Sequence, residues 1–358
     1  MSLESFQASL VLGIAGNALG SKNEKFGTGK SSDEKQKIIA GLGGLRAITV
    51  APPAWPVPEE GVFAVFTIEA LATGKTGEEL VRDVAMRYAD CMATDMTNKP
   101  ISTYLLNKVS RLQPSDIDYG IFQDYDDHAT HSSAAIRCFS VGLRFHKAKH
   151  VRDLIAAAVD ISRILHHHPV AYMGGVTAAL FTSYAIQKRE LREWGAGLMA
   201  TIPMVLEYVA SSGKVVIQNG SIYSMSTYQI FEETWKEYLR RRDIIDGERK
   251  PKFPRRYDMK KRNEFYQSLA LPDKELGATG LDATLIAYDA LLSSGSSWED
   301  LCNNSMFHAG QGNVSGALAA SWWGIQHGFS SVPPGNYNSV HFKDRLMIAA
   351  TKIYDLSW

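Results

Sequence analysis

The amino-acid sequence predicts an all-α fold. Apolar residues recur at three- and four-residue spacing along most of the chain, which is the pattern of helices with one buried face. Runs of β-branched residues are confined to residues 47–50 and 214–217, and both are short enough to be loops. No internal repeat, low-complexity tract or linker-like change of composition divides the sequence, so we expect one domain over residues 1–358.

The individual helices follow from the apolar spacing. It predicts helices over residues 79–92, 151–165, 174–186, 196–210, 231–241, 283–292, 316–327 and 341–354. Gly74 and Gly77 precede the first of these helices, and Gly295 follows a later one, where we expect a left-handed stop. The proline-rich stretches 52–58 and 251–254 predict loops, because proline cannot continue a helix.

Composition excludes several classes of protein. The 38 basic and 38 acidic side chains balance, whereas a nucleic-acid binder needs a basic excess or a basic face. The basic run in residues 236–256 is interrupted by acidic residues and indicates a solvated surface. No apolar run approaches the roughly 18 residues of a membrane span. Because Cys91, Cys138 and Cys302 lack metal-site spacing and the N-terminus lacks a basic signal region, we expect buried free thiols and a cytoplasmic protein.

Polar or glycine-rich clusters adjoin the predicted helices at residues 13–20, 55–61, 166–175 and 308–316. In the second cluster, Glu59 and Glu60 precede an apolar helix. An acidic first turn that favours the helix dipole is the simpler interpretation, and a metal or acid/base pair is the alternative. The consecutive histidines 166–168 point in different directions on a helix and cannot chelate one ion as a set. The uncharged loop 308–316 is a poor magnesium ligand.

Taken in order, these clusters resemble the ADP-ribosylhydrolases, closest to the arginine-specific branch. The resemblance covers nearly the whole chain through segments 12–20, 55–60, 133–145, 166–174, 286–292 and 308–324. It implies a compact, single-domain orthogonal helical bundle. It also implies a family mechanism in which two Mg²⁺ ions, held between an early and a late acidic loop, activate hydrolysis of an ADP-ribose linkage.

This sequence departs from the family at the metal positions. The family has Ser/Thr-Asp-Asp-Thr in the early loop and Asp-x-Asp-Ser/Thr in the late loop, and Asn17 stands where active enzymes have Asp. The degenerate positions are Pro58, Glu59, Glu60, Gln311, Asn313 and Val314. Each carboxylate about 4 Å from a cation contributes about 4 kcal/mol at an effective dielectric constant near 20. We therefore expect the two-metal site to be lost, with at most one weak Mg²⁺ at Glu59 and Glu60 and no other cofactor.

The ligand loops depart from the family as well. Residues 130–133 read Thr-His-Ser-Ser where the family has Gly-Gly-x-Gly, and Ala171 replaces a second-loop glycine. Side chains at glycine positions restrict the backbone and crowd a ligand. Positions matching the family's ligand residues form an expected remnant pocket: Tyr125, Ser132, Ser133, His168, Tyr172, Met173 and Gly174. We expect weak ADP-ribose binding at most.

These departures predict a catalytically inactive homologue with a non-enzymatic role. Loss of the pocket glycines favours a structural protein, comparable with the jellyfish J-type eye-lens crystallins that resemble this family, over a regulatory pseudoenzyme. Self-association at high concentration fits that role, and neither a nucleic-acid nor a membrane partner is expected. The alternative is a magnesium-dependent hydrolase that removes ADP-ribose from arginine through Glu59, Glu60 and Asp282, with His308 at its family position.

Overall fold

A computed structural model describes residues 1–21, 31–97, 99–112, 126, 128–212, 217–218, 221–222 and 225–357. Helices dominate these residues, which confirms the predicted all-α class. They are α1 Leu3–Gly20, α2 Ser32–Gly41, α3 Glu59–Leu71, α4 Gly77–Ala93, α5 Thr103–Val109, α6 Ser133–Cys138, α7 Val141–Arg144, α8 Val151–Arg163, α9 Pro169–Ile186, α10 Trp194–Ser211, α11 Met225–Arg241, α12 Met259–Gln267, α13 Gly280–Ser294, α14 Trp298–Ser305, α15 Asn313–His327 and α16 Lys343–Ser357. Single 3₁₀ turns lie at Leu45–Ala47, Ala148–His150, Leu191–Glu193 and Pro334–Asn336.

The short β-branched runs behave differently from each other. Residues Ile217–Gln218 (β1) and Ser221–Ile222 (β2) pair antiparallel, so Ile217, the last residue of the second run, belongs to the first strand of a small ribbon. In the first run, the 3₁₀ turn Leu45–Ala47 is followed by extended backbone. Two paired residues per strand are too few to build a core sheet, and the fold rests on its helices.

Local capping chemistry explains where several helices begin and end. Helix α9 starts five residues before the predicted 174, because His168 caps it and Pro169 occupies its first turn. The Nδ1 atom of His168 accepts from the backbone N–H of Val170 at 3.2 Å. The histidines 166–168 thus lie between α8 and α9 rather than within a helix. Gly295 ends α13 with a φ of +54° and a ψ of −118°, so it has the positive φ that favours glycine but not the left-handed helical conformation that we predicted.

Helix α1 is buried along nearly its whole length and packs against α15 at backbone contact. A Cβ atom added at Gly16 would lie 2.6 Å from the carbonyl oxygen of Gly316, and one at Gly20 would lie 2.1 Å from that of Gly312. Only glycine allows two helices to approach this closely. The contact holds the start of α15, and the loop before it, against the C-terminal half of α1.

A buried carboxylate ties three further helices together. Asp289 of α13 is fully buried and accepts from the Tyr238 hydroxyl of α11 at 3.0 Å and from Nε of Arg242, the residue after α11, at 2.7 Å. From α12 it accepts from the Tyr266 hydroxyl at 3.0 Å and faces Arg262 NH1 at 3.4 Å. Several donors surround one carboxylate, so its buried charge is compensated.

The structure also tests two predictions, that the cysteines are buried free thiols and that no helix spans a membrane. Cys91, Cys138 and Cys302 are all buried and free, as predicted. Within the described part of the chain, no helix is both long and apolar enough to cross a bilayer.

Replacing Gly20 by alanine is expected to lower the free energy of unfolding by about 1–3 kcal/mol, because the new Cβ overlaps the Gly312 carbonyl and forces α1 and α15 apart. Gly41→Ala is the matched control, since a Cβ there meets no atom within 4 Å. Chemical denaturation of both variants measures the difference. Equal stabilities of the two variants would contradict the close contact.

Candidate functional site

The early loop places two adjacent carboxylates at the start of α3. Pro58 is the N-cap residue and has extended backbone, and no side chain caps the helix. Glu59 Oε2 accepts from the backbone N–H of Ser102 at 2.6 Å, at the beginning of α5. Glu60 Oε1 instead accepts from Asn313 Nδ2 at 2.5 Å. The two carboxylates therefore bind different partners and do not share a ligand position.

Glu60 is the more perturbed of these two acids. Its pKa is raised from 4.5 to about 7, chiefly by burial and also by the negative charge of Glu59. Its own backbone N–H and the Asn313 amide oppose this shift by donating hydrogen bonds. Its Oε2 atom is buried and lacks a hydrogen-bond partner among the described residues. The result is a carboxyl group that titrates near neutral pH.

The late loop contacts the early carboxylates through one side-chain amide, that of Asn313. Asn313 is the first residue of α15, and its backbone carbonyl accepts from Asn17 Nδ2 at 3.3 Å. Gln311 turns away from Glu60 and donates its Nε2 to Glu275 Oε2 at 2.8 Å. Val314 is fully buried in the core. The three predicted positions of the late loop thus have different surroundings, and of these three only Asn313 bonds to an early carboxylate.

Asn17 connects the helix α1 to both loops. It is fully buried, and its Oδ1 has no hydrogen-bond partner among the described residues. A Cβ atom at Gly61 would lie 2.2 Å from this oxygen. Glycine after Glu60 is therefore required for α3 to pack against Asn17.

A cavity of about 520 Å³ lies between the early and late loops. Its walls include Glu59, Glu60, Gln311, Asn313 and also Lys99, with an apolar side formed by prolines, Val57, Met96 and Ile101. Burial lowers the pKa of Lys99, whose ammonium lies 5.3 Å from the centre of the Phe342 ring. Sequence reasoning missed this lysine because it lies far from every family motif.

The residues around the cavity do not fit a pair of Mg²⁺ ions. Each of the two carboxylates already accepts from an N–H donor, and the late loop adds no carboxylate. Lys99 also lines the cavity, and the charges that act on its ammonium include those of Asp95 and Arg345. No three His, Cys, Asp or Glu residues of the described chain are grouped as a metal site.

Asp282, the further carboxylate that the hydrolase alternative would use, is part of a helix start and not of an open loop. It lies in the first turn of α13 and forms a capping box with Thr279. Its two oxygens accept from the backbone N–H groups of Gly277 and Thr279 at 2.8 and 2.9 Å. A carboxylate with both oxygens bound in this way serves the helix start.

The first part of the expected ligand remnant is a buried chain of polar side chains. Ser133 Oγ lies 3.2 Å from His166 Nε2, and Arg137 NH2 lies 2.8 Å from His166 Nδ1. Because guanidinium only donates, Nδ1 accepts, and the ring proton is on Nε2, facing Ser133. His166 therefore cannot take a proton from this serine. Ser132 is held by its backbone N–H, which donates to the Ala278 carbonyl at 2.8 Å.

The second part of the expected ligand pocket, residues 172–174, lies in α9 and packs against other parts of the protein. The Tyr172 hydroxyl bonds to that of Tyr228, and Met173 is fully buried. A Cβ at Gly174 would lie 2.6 Å from Gly280 Cα, so this glycine serves helix contact. None of these side chains is among those that line the 520 Å³ cavity. Tyr125 lies outside the described residues.

Comparison with known proteins agrees with this architecture. The ADP-ribosylhydrolase ARH1 of Dictyostelium discoideum is 28% identical over 359 residues, covering 95% of this chain and 91% of the relative. A putative ADP-ribosyl glycohydrolase, L444, of Acanthamoeba polyphaga mimivirus is 29% identical over 209 residues, covering 57% of this chain and 39% of that protein. A solved structure titled ADP-ribosylglycohydrolase-related protein complex shares the fold, with a TM-score of 0.63, 13% identity and 99% coverage of both chains. The ADP-ribosylglycohydrolase family profile matches residues 2–358, and the chain belongs to that family.

Proposed function

We propose that this chain is a non-enzymatic member of the family, which has lost hydrolysis of ADP-ribose linkages. The observation that carries the proposal is the bond from Asn313 Nδ2 to Glu60 Oε1 at 2.5 Å. An amide donor occupies a carboxylate oxygen that a metal ion would need. The donor belongs to the first residue of a largely buried helix, and the backbone carbonyl of the same residue accepts from Asn17.

Electrostatics support the same conclusion. Two nearby divalent cations repel each other strongly and need several carboxylates to hold them, whereas the carboxylates that line this cavity are those of Glu59 and Glu60. Without a metal ion, neither a polarised ribose nor an activated water is available. The residues present therefore support binding contacts within the chain rather than a metal-assisted reaction.

For the biological role, we propose a structural protein comparable with a lens crystallin, in preference to a regulatory pseudoenzyme. A regulator that bound ADP-ribose as the family does would need the residues of the second ligand loop to face a pocket. Tyr172, Met173 and Gly174 are instead buried residues of α9 that pack against neighbouring parts of the chain. The neutral charge balance of 38 basic and 38 acidic side chains also suits a protein held at high concentration without strong self-repulsion.

A hydrolase with an altered site is the second candidate, and one observation favours it. Glu60 has a pKa raised to about 7, which is the property of a general acid or base working near neutral pH. The relative from Dictyostelium discoideum is named an ADP-ribosylhydrolase. This candidate would use Glu60 without the two-metal centre of the family.

An activity assay separates the two candidates. We expect the purified chain, incubated with arginine-ADP-ribosylated protein and Mg²⁺, to release no ADP-ribose above the level of an enzyme-free sample, because no metal centre assembles. Chromatographic quantification of released ADP-ribose is the measurement. Turnover that disappears in Glu60→Gln would overturn the proposal and establish the second candidate.

ADP-ribose titration tests the preference for a structural role. We expect the Tm to stay constant as ADP-ribose is raised to roughly 1 mM, since only binding to the native state raises Tm. Adenosine monophosphate at equal ionic strength is the control for non-specific anion effects. A saturable rise with ADP-ribose and not with the control would instead favour a regulatory binding protein.

Glu60→Gln is expected to stabilise the protein at pH 8. In the unsubstituted protein, the pKa of Glu60 is about 7 in the folded state and 4.5 in the unfolded state. The free energy of unfolding is therefore highest at low pH, where Glu60 is protonated in both states, and it falls as the pH rises from about 4.5 to about 7. Glutamine stays neutral, so it should recover up to about 3 kcal/mol at pH 8 and little at pH 4.5. Urea denaturation at both values measures this.

Glu237→Gln is the opposite-sign control for that measurement. Hydrogen bonding and charge from Arg241 lower the pKa of Glu237, so its loss should not stabilise the protein at pH 8. If Glu60→Gln were instead destabilising at pH 8, the carboxylate form of Glu60 would be required by the fold.

A further inference from the structure

Lys35 is a buried lysine whose ammonium contacts the late loop. It lies on α2, and only 4% of its surface is exposed. Its Nζ donates to the backbone carbonyls of His308 at 2.8 Å and of Gly310 at 2.7 Å. Burying an ammonium is costly unless acceptors converge on it, so this arrangement is specific.

The backbone of the late loop is shaped so that those carbonyls converge. Gly310 has a φ of +94°, which side-chain-bearing residues rarely adopt. Carbonyl oxygens that point at one centre repel each other unless a cation or N–H donor lies between them. The Lys35 ammonium lies within hydrogen-bond distance of both oxygens.

The His308 ring beside this contact is neutral. Burial, followed by the positive charge of Lys35, lowers the pKa of His308 to about 3. Its Nδ1 lies 2.6 Å from the Ala309 carbonyl, and its Nε2 lies 3.1 Å from Ser315 Oγ. The imidazole is thus bound within the loop, while the positive charge at the two carbonyls comes from the lysine.

We propose that the Lys35 ammonium is a built-in cation that orders the late loop through the His308 and Gly310 carbonyls. By ordering these residues it sets the positions of Gln311 and Asn313, which follow directly and bond to Glu275 and Glu60. The loop then needs no divalent ion to hold its conformation. This role concerns loop order and holds whether or not the chain hydrolyses ADP-ribose.

Further hydrogen bonds connect α2 to the late loop through α12. Asn263 of α12 accepts from the Ala309 N–H at 3.2 Å and donates to Ser32 Oγ of α2 at 2.8 Å. The Gln311 N–H donates to the Leu276 carbonyl at 2.7 Å. Lys35 therefore acts as a positioning residue at the centre of a bonded loop.

Amide hydrogen exchange tests the proposal. Lys35→Met keeps the aliphatic stem and removes the donors, so exchange in residues 309–316 should become roughly tenfold faster, while the α13 amides change little. Lys37→Met is the matched control, because Lys37 is exposed on the same helix. Unchanged exchange in the loop of Lys35→Met would overturn the proposal.

Chemical rescue separates a cation role from simple packing. In Lys35→Ala, methylammonium should restore loop protection, whereas tetramethylammonium at equal ionic strength should not, because it has no N–H donor. Equal effects of both salts, or none from either, would refute a donor role.

A measurement on the unsubstituted protein covers the case in which these variants do not fold. The Lys35 ammonium should give a ¹⁵N resonance with slowly exchanging protons and couplings across the hydrogen bonds to the His308 and Gly310 carbonyls. A Lys35 ammonium that exchanges as fast as that of Lys37 would overturn the assignment.

Discussion

The backbone contact between α1 and α15 is the constraint on which the rest of the site depends. Gly16 and Gly20 allow α1 to touch the backbone of residues Gly316 and Gly312, so the start of α15 has one permitted position. Asn17 lies between those glycines and bonds to the Asn313 carbonyl. Any side chain at these glycines would push the late loop away from the early loop. The helix pair therefore sets the distance at which Asn313 can reach Glu60.

Much of the fold could be predicted from the sequence, because apolar spacing reports directly which helix face is buried. Errors occurred where capping chemistry or tertiary contacts decide the ends. Pro169 and His168 start α9 before its predicted first residue, since a proline in the first turn and a capping side chain outweigh the apolar pattern. The pairing of residues 217 and 222 depends on a partner strand that single-segment propensity does not reveal.

The candidate site could be predicted only as a set of positions. Sequence reasoning identified Glu60 and Asn313, which do meet, but it grouped Gln311 with them although that side chain bonds to Glu275. Lys35 carried a readable signal, because it shares the buried face of α2 with Ser32 and Ile39 at helical spacing. The backbone carbonyls that Lys35 contacts could not be predicted, because every residue has a carbonyl group and the sequence does not show where it points in a loop.

The contacts at this site share one physical feature, which is that hydrogen-bond donors from the chain face the acceptors that a metal ion would otherwise satisfy. Ser102 donates to Glu59, Asn313 donates to Glu60, and Lys35 donates to the late-loop carbonyls. Each donor removes the need for an external cation and also reduces the attraction that would recruit one. Restoring a carboxylate at Asn313 would remove the donor to Glu60 and place a second acid beside that desolvated group. If the proposed loss of the metal site holds, a return to metal binding would need further changes, because the Ser102 and Lys35 donors would still face Glu59 and the late-loop carbonyls.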